Sequence, residues 1–370
     1  MKTPWELLKE SKTKIKTTWR IAFVSALVLG LLIHLPVMLS DIPNHDGLSS
    51  MYFDQNMITS GRWFLTVACG FSSYFTIPWV IGLIGLIWLA LTAAVLTEVL
   101  ELTDPVTITV VSGLLVSFPA LASTFAYVFT MDGYMLALFL AVLAVLFTAK
   151  YPRGYLAGAV CLAFSMGIYQ AYLPFTILLC VYKILLFFME EKGWKEKAKY
   201  VCHYLGMGIA GGVLYYVILQ ILLKLQGKVL DTYQGINSME QMGSGMGILA
   251  TIKGMYVDFL AFTVHGNVLV NNIFSLAACI ILVATVVFLV IRSMIWRKWW
   301  KNPAFFVIMI LLGISMPLLT NVILLISPNL TYHLLMRYQW VLYLILMTAF
   351  ADRYTAEESR TDVVLQWAAL

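Results

Sequence analysis

Charge is scarce in this chain. Only 12% of its 370 residues are Asp, Glu, Lys or Arg, about half the share found in ordinary soluble domains. So few charged groups cannot cover a water-facing surface, which excludes a soluble globular protein. Cysteine is sparse too. Cys69, Cys161, Cys180, Cys202 and Cys279 form no C-x-x-C pair, and four of them fall inside apolar runs. That excludes a disulfide framework and a zinc spacing, and it reads the thiols as small buried hydrophobes. The chain has no H-E-x-x-H, no phosphate loop of the Walker type, no G-x-S-x-G and no cluster spaced to ligate a metal. Acids deep within the apolar runs are nearly absent, as is any row of charges, and ion-coupled pumps and voltage sensors carry both. No internal repeat points to the inverted-repeat transporter plan. No cleavable signal peptide is evident, because the first apolar segment, from near Ile21, is not followed by an A-x-A site. It reads as an anchor that stays in the protein.

What the chain has in abundance is apolar sequence. Hydrophobic residues make up 61% of it, and runs of about 20 of them, enough to cross a bilayer as a helix, recur from residue 21 to residue 351. Only helices and closed barrels satisfy their backbone inside hydrocarbon. Barrel strands alternate apolar with polar residues, whereas runs such as Ile280 to Ile291 are continuous. The expected fold is therefore an all-α polytopic bundle forming one transmembrane domain over residues 1–370. About ten spans are expected, near 20–40, 76–99, 106–124, 134–149, 154–170, 173–189, 201–224, 267–291, 303–326 and 337–351.

Lys and Arg orient such a chain, because they are retained in cytoplasmic flanks. With the N-terminus cytoplasmic, 18 of the 24 cations fall in cytoplasmic segments. Five (Arg62, Lys224, Lys228, Lys253 and Arg337) fall on the other side, and Lys183 lies within a span near its cytoplasmic end. Both termini are then cytoplasmic, and the net charge of +5 reflects basic loops, not a nucleic-acid surface. The external side carries two long segments, 41–75 and 225–266. Segments of that length in a compact protein are usually functional or disordered.

Candidate chemistry crowds that external side. The segment Asp41-Ile42-Pro43-Asn44-His45-Asp46-Gly47 follows the first span directly, where a carboxylate meets both a lipid headgroup and a soluble acceptor. Beyond it Leu48, Met51, Tyr52 and Gln55 have the spacing of an amphipathic helix lying in the interface. Gly61-Arg62-Trp63 adds a guanidinium suited to bidentate phosphate binding and an indole suited to the aromatic belt; interfacial anchoring explains both equally well. Asp132 is the only acid between Asp104 and Glu190. Beside hydrocarbon it is either functional or the cap of the next helix. Tyr169 and Gln170 end the fifth span, where the Gln amide would bind a sugar hydroxyl or tie two helices together. The run Gly243-Ser244-Gly245-Met246-Gly247 lacks the trailing residues of a phosphate loop and reads as a mobile loop. His333 and Arg337, four apart, would share one face of a helix, with Arg337 placed to meet a lipid phosphate or to anchor the interface.

Three of these pieces, in this order and spacing, carry a resemblance. They are the acidic motif ending in Asp46 with Gly61-Arg62-Trp63 after it, the turn Met131-Asp132-Gly133-Tyr134, and Ser165-Met166-Gly167-Ile168-Tyr169-Gln170-Ala171. Over residues 35–190 the chain resembles the integral-membrane glucosyltransferases that modify bacterial O-antigens and related surface glycans, the Gtr group of the GT-C superfamily. Members of that group commonly show two adjacent acids in the first external loop. This chain has His45-Asp46, which leaves Asp46 as the functional carboxylate.

The resemblance implies a GT-C-like fold in a bacterial cell membrane. It also implies a polyprenyl-phosphate-linked sugar, glucose by preference, moved with inversion to a hydroxyl of a glycan on the external face. Asp46 would act as general base with Asp132 assisting. Arg62 and Arg337 would hold the donor phosphate, and His45, Trp63, Tyr169, Gln170 and His333 would line the substrates. No cofactor is called for and nothing demands a metal, although some superfamily members use a divalent ion. The expected partners are the bilayer, the lipid-linked sugar and the glycan acceptor. Two other classes remain open on the residues alone. A transporter or flippase for a lipid-linked sugar would line a path at mid-membrane depth with polar residues. A ligase, polymerase or acyltransferase would show a basic external loop or an essential membrane histidine, for which His34 is the candidate.

Overall fold

The computed structural model describes residues 3, 5–6, 14–40, 46, 54–70, 72, 77–190, 192–231, 248–296, 298, 303–327, 331–355 and 360–370. Among these residues the fold is all helical, with one isolated bridge between Met57 and Arg62 and no strand. The principal helices are α1 (Thr17–Leu39), α2 (Pro78–Leu100), α3 (Pro105–Ser117), α4 (Pro119–Phe125), α5 (Met131–Lys150), α6 (Gly154–Ile168) and α7 (Leu173–Met189). They continue with α8 (Trp194–Gln226), α9 (Ile248–His265), α10 (Ile273–Trp296), α11 (Pro303–Thr320), α12 (Val341–Thr355) and α13 (Arg360–Ala369).

Proline sets several of these boundaries. Pro78, Pro105 and Pro119 each open a helix, where a missing N–H costs nothing. The Asp104 carboxylate accepts the Thr107 N–H at 2.7 Å and caps α3, satisfying one of the orphan amides of a first turn. Pro119 cannot continue α3, so the third expected span, 106–124, is bent by 48° into α3 and α4.

Two ends of the bundle are distinguishable. At one end ion pairs gather: Glu98 with Lys16 and Lys150, Glu101 with Lys183 and Arg353, and Arg292 with Asp362. The starts of α1 and α13 both lie at this charged end, and α13 runs from there back into the bundle, where the Thr348 hydroxyl donates to the Ala369 carbonyl at 3.4 Å. The opposite end carries residues 58–63, 169–172 and 332–340. Among the described residues, α1, α2, the α3/α4 pair, α5, α6, α7, α8, α10, α11 and α12 run between the two ends. Among the described residues eight helical segments, α9 included, have the length and apolarity to cross a membrane and the bent pair makes a ninth, while α6 and α11 are shorter apolar helices.

The core is built from α1 to α7 and α12. On α1 the buried residues recur every fourth position, at Ala22, Ala26, Gly30, His34 and Met38, and small residues on such a stripe let helix backbones approach closely. Helices α8 and α10 instead present Leu205, Ile209, Val213, Phe274, Ile280 and Val287 outward. Apolar belts of that extent are stable only against lipid.

Helix α9 is a departure from the expected loop at 225–266. It is less apolar than α10, because Thr251, Lys253, Gly254 and Asp258 interrupt its apolar sequence. It does not cross the bundle. Gln226 and Asp231, at the end of α8, bond Asn56 and Thr59 at the end opposite the charged one. Arg292, near the far end of α10, bonds Asp362 and the Tyr354 carbonyl at the charged end. The start of α10 therefore lies on the same side as the end of α8, and α9 joins them there. The glycine run 243–247 and the segment 48–53, expected to begin an interfacial helix, lie outside the described residues. Gln55, expected on that helix, sits instead in irregular backbone and is buried.

Candidate functional site

The site is assembled at the end away from the ion pairs, from segments that are irregular in sequence and tightly tied in space. Gly61 takes a left-handed conformation, φ +75°, which closes the turn Ile58–Ser60 and turns the chain back so that Arg62 pairs with Met57. Two side chains press on that turn. Gln170 Nε2 donates to the Ser60 carbonyl at 3.2 Å and to the Tyr215 hydroxyl at 3.0 Å, and Tyr215 donates to the Gly61 carbonyl at 3.0 Å. A β-carbon at Gly61 would lie 2.5 Å from the Tyr215 oxygen and 2.7 Å from Gln170 Nε2. Left-handed φ and crowding both demand glycine here.

The turn aims Arg62 inward. Its Nη1 donates to the Tyr134 hydroxyl at 3.1 Å, and the guanidinium carbon lies 4.8 Å from the centre of the Tyr169 ring. Tyr134 and Tyr169 stack face to face, 4.3 Å apart and 9° from parallel. A planar cation over an aromatic face is favourable, and more so out of water. Trp63 is fixed by contact with Gly167, where a β-carbon would lie 2.6 Å from the indole, and by the Phe164 ring at 5.2 Å. The Phe64 N–H donates to the Gly167 carbonyl at 2.7 Å. The two motifs noted separately in the sequence, 61–63 and 165–171, are thus one packed unit.

Asp132 occupies the first turn of α5 and is 4% exposed. Its carboxylate accepts the Ser72 hydroxyl and the Gly133 N–H, each at 2.9 Å, so it satisfies a helix-start amide while standing two residues from Tyr134. Cys69 lies against it; burial first, and the Asp132 charge second, push the Cys69 thiol well above its ordinary range. Asp46 is half-buried. His45 and the rest of 41–45 lie outside the described residues.

A ladder of rings leads on from Tyr169. Tyr172 lies 5.6 Å from it, and Tyr338 lies 6.3 Å from Tyr172. Tyr338 belongs to the 3₁₀ segment Leu334–Trp340, which also carries Arg337. Here Arg337 departs from helical angles (φ −103°, ψ 21°), so the shared helical face expected for His333 and Arg337 does not form, and His333 is exposed. The Arg337 guanidinium sits between the rings of Tyr332 and Phe262, 3.9 and 4.7 Å away. Its two terminal nitrogens donate to both oxygens of Asp258 at 2.8 and 2.7 Å. Asn321 donates to the same carboxylate at 3.1 Å.

Asp258 was not singled out from the sequence. The available signal was its isolation: it is the only acid between Glu240 and Asp352. His34 is spent on packing. Its ring stacks on Phe125 at 4.0 Å and its Nε2 meets the Val116 carbonyl at 2.8 Å. Below the Arg337 segment an apolar cavity of about 280 Å³ runs between α7, α10, α11 and α12, from Tyr343 and Met316 down to Phe350. Tyr343 lies 5.5 Å from Trp340 and 5.9 Å from Phe259, which joins the cavity to the polar end. Among the described residues no three His, Cys, Asp or Glu side chains come together as a metal site.

Fold and site define a polytopic helical membrane protein with ion pairs at one end of the bundle and, at the other, two guanidiniums seated on aromatic rings. Residues 35–350 match the family described as Glucosyl transferase GtrII, and the chain belongs to that family of membrane glucosyltransferases. Comparisons with curated proteins and with solved structures returned no match.

Proposed function

We propose that this glucosyltransferase moves glucose from a polyprenyl-phosphate donor to a hydroxyl of a surface glycan, with inversion, on the outer face of the cell membrane. The lysine-rich charged end, where α1 and α13 begin, is then cytoplasmic, and the Arg62–Arg337 end faces outward. The observation that carries the reading is the arrangement of that outer end. One guanidinium is seated on Tyr169, where the ring ladder to Tyr338 begins, the other, on the residue before Tyr338, is seated on Tyr332, and an apolar cavity starts at Leu342 and Tyr343 on the helix that follows. A lipid phosphate needs that combination: donors for its oxygens and a dry channel for its tail.

In this reading Asp46 takes the proton of the acceptor hydroxyl as its oxygen attacks the sugar's anomeric carbon. The bond to phosphate breaks on the opposite face, and polyprenyl phosphate leaves with the electron pair. Arg62 stabilises the charge growing on the leaving group. Arg337 has three N–H groups engaged, by Asp258 and the Tyr332 carbonyl, which leaves two of the five in a guanidinium for a phosphate oxygen. Asp132 acts as a positioning residue, holding the start of α5 and with it Tyr134.

The test is transfer from radiolabelled polyprenyl-phosphate glucose by purified protein in lipid, comparing wild type with Asp46→Asn. Transfer by the wild type that vanishes in the variant supports donor and base together. Wild-type turnover in the variant removes Asp46 as the base. No transfer by either protein removes the donor or the acceptor.

A further inference from the structure

The charged end holds a second feature that glucosyl transfer does not use. Five cations meet three carboxylates there. Glu98 is shared by Lys16 and Lys150, both at 2.6 Å. Glu101 is shared by Lys183 at 2.6 Å and Arg353 at 2.7 Å. Glu190 takes Lys192 at 3.0 Å and Arg353 again at 3.8 Å. The cluster therefore carries two positive charges more than its acids neutralise. These groups do not close on one another. All of them but Lys16 line a cavity of about 340 Å³, which sets four cations against three carboxylates in its wall, and that wall continues into the apolar side chains of Val99, Leu146 and Leu186 and the ring of Tyr200.

Its depth is informative. Lys150 is the last residue of α5, and Glu190 caps the end of α7, so the cavity sits where spans leave the hydrocarbon. Lys150 and Lys192 keep 41% and 42% of their side chains exposed and Arg353 keeps 33%, so all three line the cavity and still reach solvent. A cavity of this size admits a headgroup. Surplus positive charge at headgroup depth between helices, with an apolar wall beneath, is the chemistry that selects an anionic lipid over a neutral one.

We propose that this cavity binds the phosphodiester headgroup of an anionic glycerophospholipid, with Arg353, Lys150 and Lys192 on the phosphate and an acyl chain along Leu146 and Leu186. The site is independent of the donor site, because the two lie at opposite ends of the bundle.

Thermal unfolding of the full-length protein in mixed micelles tests it, with phosphatidylglycerol, phosphatidylcholine or inorganic phosphate added in separate arms. Phosphatidylglycerol is expected to raise the midpoint by about 3 °C or more, and phosphatidylcholine to leave it in place. In Lys150→Gln/Lys192→Gln the shift falls by at least half, and phosphatidylglycerol retained in native mass spectra falls roughly tenfold. Lys192→Gln alone, at an exposed position, gives a smaller loss and guards against misfolding of the double variant. Equal shifts from both lipids, or an undiminished shift in both variants, overturn the proposal. A full shift from inorganic phosphate alone overturns the lipid assignment and leaves a free-phosphate site.

Discussion

Arg337 and Asp258 meet edge to edge, Nη1 to Oδ2 at 2.8 Å and Nη2 to Oδ1 at 2.7 Å. The pair ties the 3₁₀ segment before α12 to α9, a helix with little else buried: only Met255 is fully enclosed there. Arg337 is 10% exposed at its side chain and Asp258 26%, so water screens the pair little on the arginine side. Removing one partner of such a pair strands the other charge.

Asp258→Ala is therefore expected to destabilise the protein by about 3 kcal/mol, the lower end for a broken buried pair. Arg337→Ala should cost a similar amount, and the double variant less than the sum of the two. Denaturant unfolding of the three variants in detergent reads the coupling. Additive losses would show that the contact contributes nothing beyond each side chain's own packing.

Arg62 tests the donor site through geometry as well as charge. Arg62→Lys keeps the cation but loses the planar face over Tyr169 and the fork toward Tyr134. Both Arg62→Lys and Arg62→Ala should raise the donor KM about tenfold or more with little change in unfolding midpoint. Full recovery in the lysine variant would mean that a point charge suffices.

Gly61→Ala probes the turn that aims Arg62. The left-handed φ costs of order 1–3 kcal/mol for a residue with a β-carbon, and the Tyr215 hydroxyl and Gln170 amide must also shift. The expected result is lowered transfer together with a lowered midpoint. Combining Gly61→Ala with Tyr215→Phe should recover part of the midpoint, because the phenylalanine removes the nearer oxygen. No recovery would place the strain in the backbone alone.

The path of α9 is open to labelling. Cysteines placed at Lys228 and Asn271 should both react with an impermeant maleimide from outside intact cells, and one at Lys192 only after the cells are opened. Reaction of Lys228→Cys and Asn271→Cys from opposite sides would mean that α9 crosses.

Acid should loosen the charged end. Burial, the largest influence on Glu101, acts to raise its carboxyl, but hydrogen bonds from Lys183 and Arg353 outweigh it and hold the group below its ordinary value of 4.5. A carboxyl lowered by folding adds stability that is complete above the unfolded value and is lost as pH falls through the folded one. The difference in unfolding midpoint between wild type and Glu101→Gln should thus be constant near neutrality and shrink below about pH 4.5. A difference that grew toward acid would reverse the assignment.

Much of this protein was decided locally. Continuous apolar runs leave a chain no alternative to helices in hydrocarbon, so the spans at 20–40, 76–99 and 173–189 were legible from residue type alone, while the bend at Pro119 within 106–124 came only with the structure. The motifs 61–63, 131–134 and 165–171 were legible as polar interruptions and as a family pattern. Sequence could not say that the first and third are one unit, because a hydrogen bond from Gln170 to Ser60 spans 110 residues and leaves no periodicity behind. Nor could it find Asp258. A single carboxylate in a weakly apolar stretch has no local signature, and its meaning comes from Arg337, 79 residues away. Composition and periodicity report what each segment buries; which segments then meet is set by packing among helices of nearly equal apolarity, and only the tertiary structure resolves that.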